Sequence, residues 1–212
     1  MTARSDIPYR KHLRLRGFDY RANCAYFVTI CIRDRLNVFG LVKDDTVALS
    51  QRGLVARDCW LDIPNHHPHV ELDALVIMPN HMHGILLFVG DAPSSTGSVR
   101  RSGFAIGPAR GSLGAVVGSY KAAVSRTINK LRVGAGTDLW QPNYYEHVIR
   151  HDVARERIRE YIETNPLRWE HDAENSTGDG TDVLDVFLRS LEDSPLGGER
   201  DAGVAPTGGY DA

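Results

Sequence analysis

The spacing of apolar positions changes period several times along the chain, and each change marks an element. AYFVTICIRD, residues 25–34, is rich in β-branched and aromatic side chains and reads as a strand. After a turn at Gly40, the residues Leu54, Val55, Trp60 and Leu61 recur at roughly helical spacing across 49–62, and Pro64 is expected to end that helix. HVELDALVIMP and HMHGILLFV then form two strands around Pro79 and Asn80, the pattern of an antiparallel hairpin. From Leu113 the series Val117, Tyr120, Val124, Ile128 and Leu131 steps by three or four, which predicts an amphipathic helix. YYEHVIR (144–150) is a short strand. DVARERIREYIETNP is a helix with Asp152 as its expected N-cap, closing at Pro166, and a further short helix fits 182–192.

The order β-α-β-β-α-β-α, without internal repeats, predicts one α+β domain: an antiparallel sheet with helices packed on one face. The other face would then stay free to bind. Residues 91–111, rich in Gly, Ser and Pro, read as a mobile link within a body of residues 1–169, and 170–212 as a largely low-order tail.

Composition narrows the class without adding chemistry. With 212 residues, 42% hydrophobic and 25% charged, the chain can bury one substantial core plus a tail. It shows no run of apolar residues long enough to span a bilayer, and its first residues lack the apolar core of a signal peptide. The expected place is the cytoplasm, with no membrane partner. Cys24, Cys31 and Cys59 form no C-x-x-C pair, so neither a disulfide framework nor a zinc knuckle is indicated.

Charge is unevenly spread, and that changes the picture. The net of −2 divides into 11 acids against Arg189 and Arg200 after residue 169, and 23 bases against 16 acids before it. Between residues 100 and 132 lie Arg100, Arg101, Arg110, Lys121, Arg126, Lys130 and Arg132 without a single acid. Such a stretch can seat a polyanion, although a solvated helix face carries the same signature. Lys121, Arg126 and Lys130, on the predicted helix, are the expected contacts to a polyanion's phosphates, which positive side chains position without reading sequence.

The candidate chemistry begins in VIMPNHMHGILLF (76–88), a strand-like run holding two histidines. Residues i and i+2 of a strand leave the same face, about 6–7 Å apart along the chain, so His81 and His83 could grip one metal ion. In the last long helix Tyr161 and Asn165 are four apart and share a face, and Pro166 places the Asn165 amide at the helix end. Tyr145, Tyr144 and Tyr120 compete with Tyr161 for a nucleophile's role. His66, His67 and His69 read as a solvated turn and His147 as structural. Tyr20, Tyr26 and Trp140 could stack on unpaired bases but more simply belong to the core or its rim.

Taken together, HMH at 81–83, the preceding VIMPN, the basic helix GSYKAAVSRTIN, the segment LWQPNYYEHVIR and the closing YIETNP resemble the single-tyrosine HUH transposases. More narrowly, they resemble the IS200-like group and its REP-associated tyrosine transposase branch, in order, from about residue 20 to 169. The resemblance implies a ferredoxin-like HUH domain that nicks and rejoins single-stranded DNA beside a hairpin. It implies His81, His83 and Asn165 as metal ligands, and Tyr161 as the nucleophile forming a 5′-phosphotyrosine. REP-like elements would be its DNA partners, and the chain would act as a monomer or a homodimer. Ligands of this kind leave positions open for substrate oxygens, so Mg²⁺ or Mn²⁺ is the expected cofactor, although imidazole also suits other divalent metals. Two other classes stay in view: a hairpin-binding module without catalysis, and a nuclease in which a metal-activated water replaces the tyrosine.

Overall fold

The computed structural model describes residues 18–90, 108–131, 138–181 and 184–192. Most of the expected link, with Arg100, Arg101 and Arg132, and the tail from residue 193 lie outside the described residues. In chain order the elements are β1 (Ala25–Cys31), β2 (Gly40–Lys43), β3 (Thr46–Leu49), α1 (Gln51–Leu61), α2 (Ile63–His66), β4 (Val70–Ile77), β5 (His81–Phe88), α3 (Leu113–Lys130), β6 (Tyr145–Ile149) and α4 (Asp152–Glu163). A 3-10 segment, Asn165–His171, and α5 (Leu184–Glu192) follow.

The main sheet runs β4-β5-β1-β6, and every neighbouring pair is antiparallel. With the small β2–β3 ribbon set aside, β1-α1-β4-β5-α3-β6 in this strand order is the ferredoxin-like α+β arrangement. Tyr26, Val28 and Ile30 of β1, with Met82 and Leu86 of β5, join Trp60 of α1 and Val116, Tyr120 and Val124 of α3 in one core. Gly84 makes this packing possible, because a Cβ there would lie 2.4 Å from Trp60 Cζ2.

The other face, expected to stay free, is covered. Phe27, Ile85 and Ile149 pack beneath Ala154, Ile158, Tyr161 and Ile162 of α4 and Leu184, Leu188 and Leu191 of α5. The physical reason lies in β5, whose inward and outward positions are almost all buried, as in a strand sandwiched between two layers. Packing therefore continues past residue 169 into the acidic segment.

Local corrections are instructive. The N-cap of α4 is His151, whose Nδ1 accepts from Ala154 N at 3.1 Å; Asp152 sits in the first turn, where its charge suits the helix dipole. Pro64 opens α2 rather than only ending α1, since its fixed φ suits a first helical turn. The β2–β3 ribbon, unforeseen, turns at Asp44 and Asp45, both at positive φ (49° and 58°).

Candidate functional site

Alternation along β5 sends His81, His83 and Ile85 to the α4 side and Met82, Gly84 and Leu86 to the other. Both imidazoles are buried, at 0% and 2% exposure. Their Nε2 atoms lie 3.1 Å apart. Each Nδ1 has its own partner: Asn80 Oδ1 at 2.9 Å for His81, and Thr29 Oγ1, from the neighbouring strand, at 2.9 Å for His83. An amide oxygen only accepts, so His81 Nδ1 carries the hydrogen and its Nε2 presents a lone pair. A hydroxyl both donates and accepts, so Thr29 serves either tautomer of His83. Two lone pairs cannot face each other at 3.1 Å without positive charge between them. A proton on His83 Nε2 meets that need, and so does a cation.

The third group comes from beyond α4. Asp172, 4% exposed, places Oδ2 3.6 Å from His81 Nε2, and that oxygen accepts no hydrogen bond. One ligand atom from each of His81, His83 and Asp172 fits within 4.8 Å of the others; among the described residues this is the group able to hold a metal ion. The donors fit a divalent cation. Two nitrogens 3.1 Å apart subtend about 95° at a metal held at about 2.1 Å from each, close to adjacent positions of an octahedron.

Tyr161 reaches the same region from the last turn of α4, and Asn165 opens the 3-10 segment that follows it. The Tyr161 ring meets His83 edge-on with centroids 5.6 Å apart, and Phe27, stacked on His83, meets Tyr161 edge-on. Arg168 lies over the Tyr161 ring at 4.3 Å and donates to the Tyr161 carbonyl at 2.8 Å. Phe187 of α5 stacks on the same ring at 4.8 Å, leaving Tyr161 5% exposed. Asn165 is fully buried, and neither atom of its amide has a hydrogen-bond partner among the described residues. Most buried amides are satisfied, so Asn165 is an exception within its layer. Tyr145 is directly opposite Thr29 across β1–β6, one strand further from His83 than Thr29 itself. Tyr144 and Tyr120 pack with the core on the far side of the sheet.

The bases expected on α3 are not brought to the histidines, because α3 packs on the opposite face. Arg126 and Lys130 are exposed. Lys121 is turned inward instead, donating to Gln141 O at 2.7 Å and Asn143 O at 2.8 Å, and burial pushes its pKa down to about 8. Tyr26 and Trp140 are core residues. His66 pairs with Asp62 at the surface, as a solvated turn would, whereas His69 is buried with Nε2 3.1 Å from Gly111 O.

Asp172 is the residue that sequence reasoning missed. No spacing rule could deliver it, because it follows an irregular 3-10 turn and arrives by tertiary packing.

No family model matches the chain. An uncharacterized protein of Haemophilus influenzae is 34% identical over 169 residues, covering 78% of this chain and 93% of that protein. The chain belongs to that protein's family. Among solved structures, a REP-associated tyrosine transposase bound to a REP hairpin is similar over 73% of each chain, with 17% identity and a TM-score of 0.49. A Deinococcus radiodurans protein described as a candidate transposase is similar over 71% of this chain and 95% of its own, with 20% identity and a TM-score of 0.39.

Proposed function

We propose that the protein is a transposase that nicks and rejoins single-stranded DNA near hairpins, using a divalent metal and Tyr161. The observation that carries the reading is the meeting of two facing imidazoles, a buried carboxylate beside them and a tyrosine ring in contact with His83. A pure binding module needs none of that combination.

His81, His83 and Asp172, with Asn165 close after Tyr161 in sequence, would hold Mg²⁺ or Mn²⁺. Such an ion would polarise the phosphate and meet the charge on the departing oxygen. The chain's own part begins with Tyr161. Its Oη attacks the phosphorus, the bond from phosphorus to the 3′ oxygen breaks, and the phenol proton leaves to solvent or a nearby base while the 3′ oxygen departs as a hydroxyl. A 5′-phosphotyrosine conserves the phosphodiester energy, so attack by another 3′-OH reseals the strand without a further energy source. Water is held back by the layer of α4 and α5 around the ring. Arg126 and Lys130, exposed on the far helix, would hold DNA through its phosphates.

The test is a denaturing gel of the purified protein with labelled single-stranded hairpin DNA from the flanks of its own gene, with Mn²⁺ or Mg²⁺. A covalent adduct is expected that disappears in Tyr161→Phe and His81→Ala and persists in Tyr145→Phe. Cleavage that survives Tyr161→Phe without any adduct would replace the tyrosine with a metal-activated water. Binding without cleavage under every metal would leave only a binding module.

A further inference from the structure

The carboxylate that completes the cluster is held by residues that belong to neither α4 nor β5. Asp172 opens a tight turn: its Oδ1 accepts from Glu174 N at 2.6 Å, and its carbonyl accepts from Asn175 N at 3.0 Å. Arg35, in the turn after β1, donates through Nη1 to Ala173 O at 2.9 Å and pairs through Nη2 with Glu174 Oε2 at 3.2 Å. Asn80, between β4 and β5, donates through Nδ2 to Glu174 O at 2.8 Å and to Arg35 O at 3.2 Å. Asn80 is 1% exposed, and its Oδ1 is the atom that meets His81 Nδ1.

Two carbonyls fix which end of the Asn80 amide is NH₂. The oxygen must then face His81, which holds the histidine with its hydrogen on Nδ1 and its Nε2 toward His83 and Asp172. One buried side chain thus touches both a histidine of the cluster and the turn that carries its carboxylate.

We propose that Asn80 and Arg35 are positioning residues that couple docking of the Asp172–Asn175 turn to divalent-metal binding at His81 and His83. This rests on the metal centre of the function proposed above. Asn80 sets the direction of the His81 lone pair and the height of the turn; Arg35 sets the turn alone. Loosening Arg35 therefore withdraws Asp172 without altering either imidazole. Conversely, an ion held by His81, His83 and Asp172 pins the turn against the sheet.

The experiment titrates the full-length protein with Mn²⁺ and follows free Mn²⁺ by electron paramagnetic resonance, beside Asn80→Ala, Arg35→Gln, Arg35→Lys and Asp172→Asn. Outer partners of metal ligands typically change affinity about 10–100-fold, so Asn80→Ala and Arg35→Gln are expected to weaken binding by that order. Arg35→Lys, which keeps a cation for Glu174, should recover part of the loss. In the unaltered protein Mn²⁺ should also slow amide exchange at Glu174 and Asn175. Mn²⁺ binding within twofold of the unaltered protein in folded Arg35→Gln overturns the coupling and leaves the metal centre standing. An absence of Mn²⁺ binding by the unaltered protein overturns the metal centre itself. Should the variants fail to fold, exchange at Glu174 and Asn175 that ignores Mn²⁺ in the unaltered protein overturns the coupling equally.

Discussion

Gly84→Ala tests whether the core packing and the site are one mechanical unit. The glycine sits between His83 and Ile85, and its missing side chain faces the indole of Trp60. An added Cβ would lie 2.4 Å from Cζ2, 2.8 Å from Cη2 and 3.1 Å from Cε2. Ordinary carbon contacts fall near 3.5–4.0 Å, so one partner must move by roughly 1 Å. Trp60 is 1% exposed and meets Tyr120 edge-on at 5.4 Å, while the Tyr120 hydroxyl donates to Ala56 O at 3.2 Å. The indole has little room to retreat. Overpacking of this kind costs about 1–3 kcal/mol, and the lost chain freedom of a Gly→Ala change returns about 0.4–1 kcal/mol. The net is a loss of about 1.3 kcal/mol, which for a domain of this size lowers Tm by about 3–5 °C.

Thermal melting of Gly84→Ala, Trp60→Leu and the double variant measures the coupling. Trp60→Leu creates a cavity and destabilises by itself, but the added methyl should then fit, so the double variant should melt above the additive expectation. Because Gly84 adjoins His83, Gly84→Ala should also weaken Mn²⁺ binding if β5 rather than the indole gives way. An unchanged or raised Tm for Gly84→Ala, or strict additivity in the double variant, would refute the close-contact argument.

Two further outcomes follow from other contacts. Burial lowers the pKa of Lys121 to about 8 from an ordinary 10.5, so between those values the unfolded chain binds more protons and stability rises with pH. Discounted for partial exposure, the gain is about 1 kcal/mol from pH 8 to pH 9.5; urea unfolding should show it, and Lys121→Met should flatten it. Arg159 of α4 forks onto Asp73 of β4 at 2.9 and 2.8 Å and also pairs with Glu156. Asp73→Ala should cost about 1–2 kcal/mol in urea unfolding and slow adduct formation while leaving hairpin affinity unchanged; an unaltered single-turnover rate would show that this fork does not position Tyr161.

Much of this could be read in the sequence where a single period ran long enough. Leu113, Val117, Tyr120, Val124 and Ile128 are all buried on α3, and β1 and the β4–β5 hairpin fall where their patterns placed them. The helix at 51–61 was legible but its buried face was not. Leu54 and Leu61 are exposed, whereas Gly53, Ala56 and Trp60 are buried, because small residues let α1 approach Phe39 closely. The β2–β3 ribbon escaped notice because four-residue strands with half-exposed alternation carry little signal. The covered second face did leave a trace, the nearly unbroken apolar run of β5 outside its histidines. His81 and His83 were readable from a two-residue spacing. Asp172 depends on Asn80 and Arg35, 92 and 137 positions earlier in the chain, and no local pattern encodes such a meeting.

The cluster carries an energetic cost that the proposed metal would offset. Asn165 keeps both amide atoms unpartnered, Asp172 keeps one oxygen without a hydrogen bond, and both residues are buried. Each such atom costs about 1–3 kcal/mol, against a total stability of about 5–15 kcal/mol for a typical domain. A chain under pressure only to fold would place apolar side chains there, as it does in the same layer with Phe27, Ile85 and Ile158. Instead, hydrogen bonds with Thr29 Oγ1 and Asn80 Oδ1 direct the two histidines toward each other. Two apolar cores, one on each sheet face, are large enough to carry that penalty. On the proposed reading, the cost of burying these polar groups beside β5 is offset when a cation is bound.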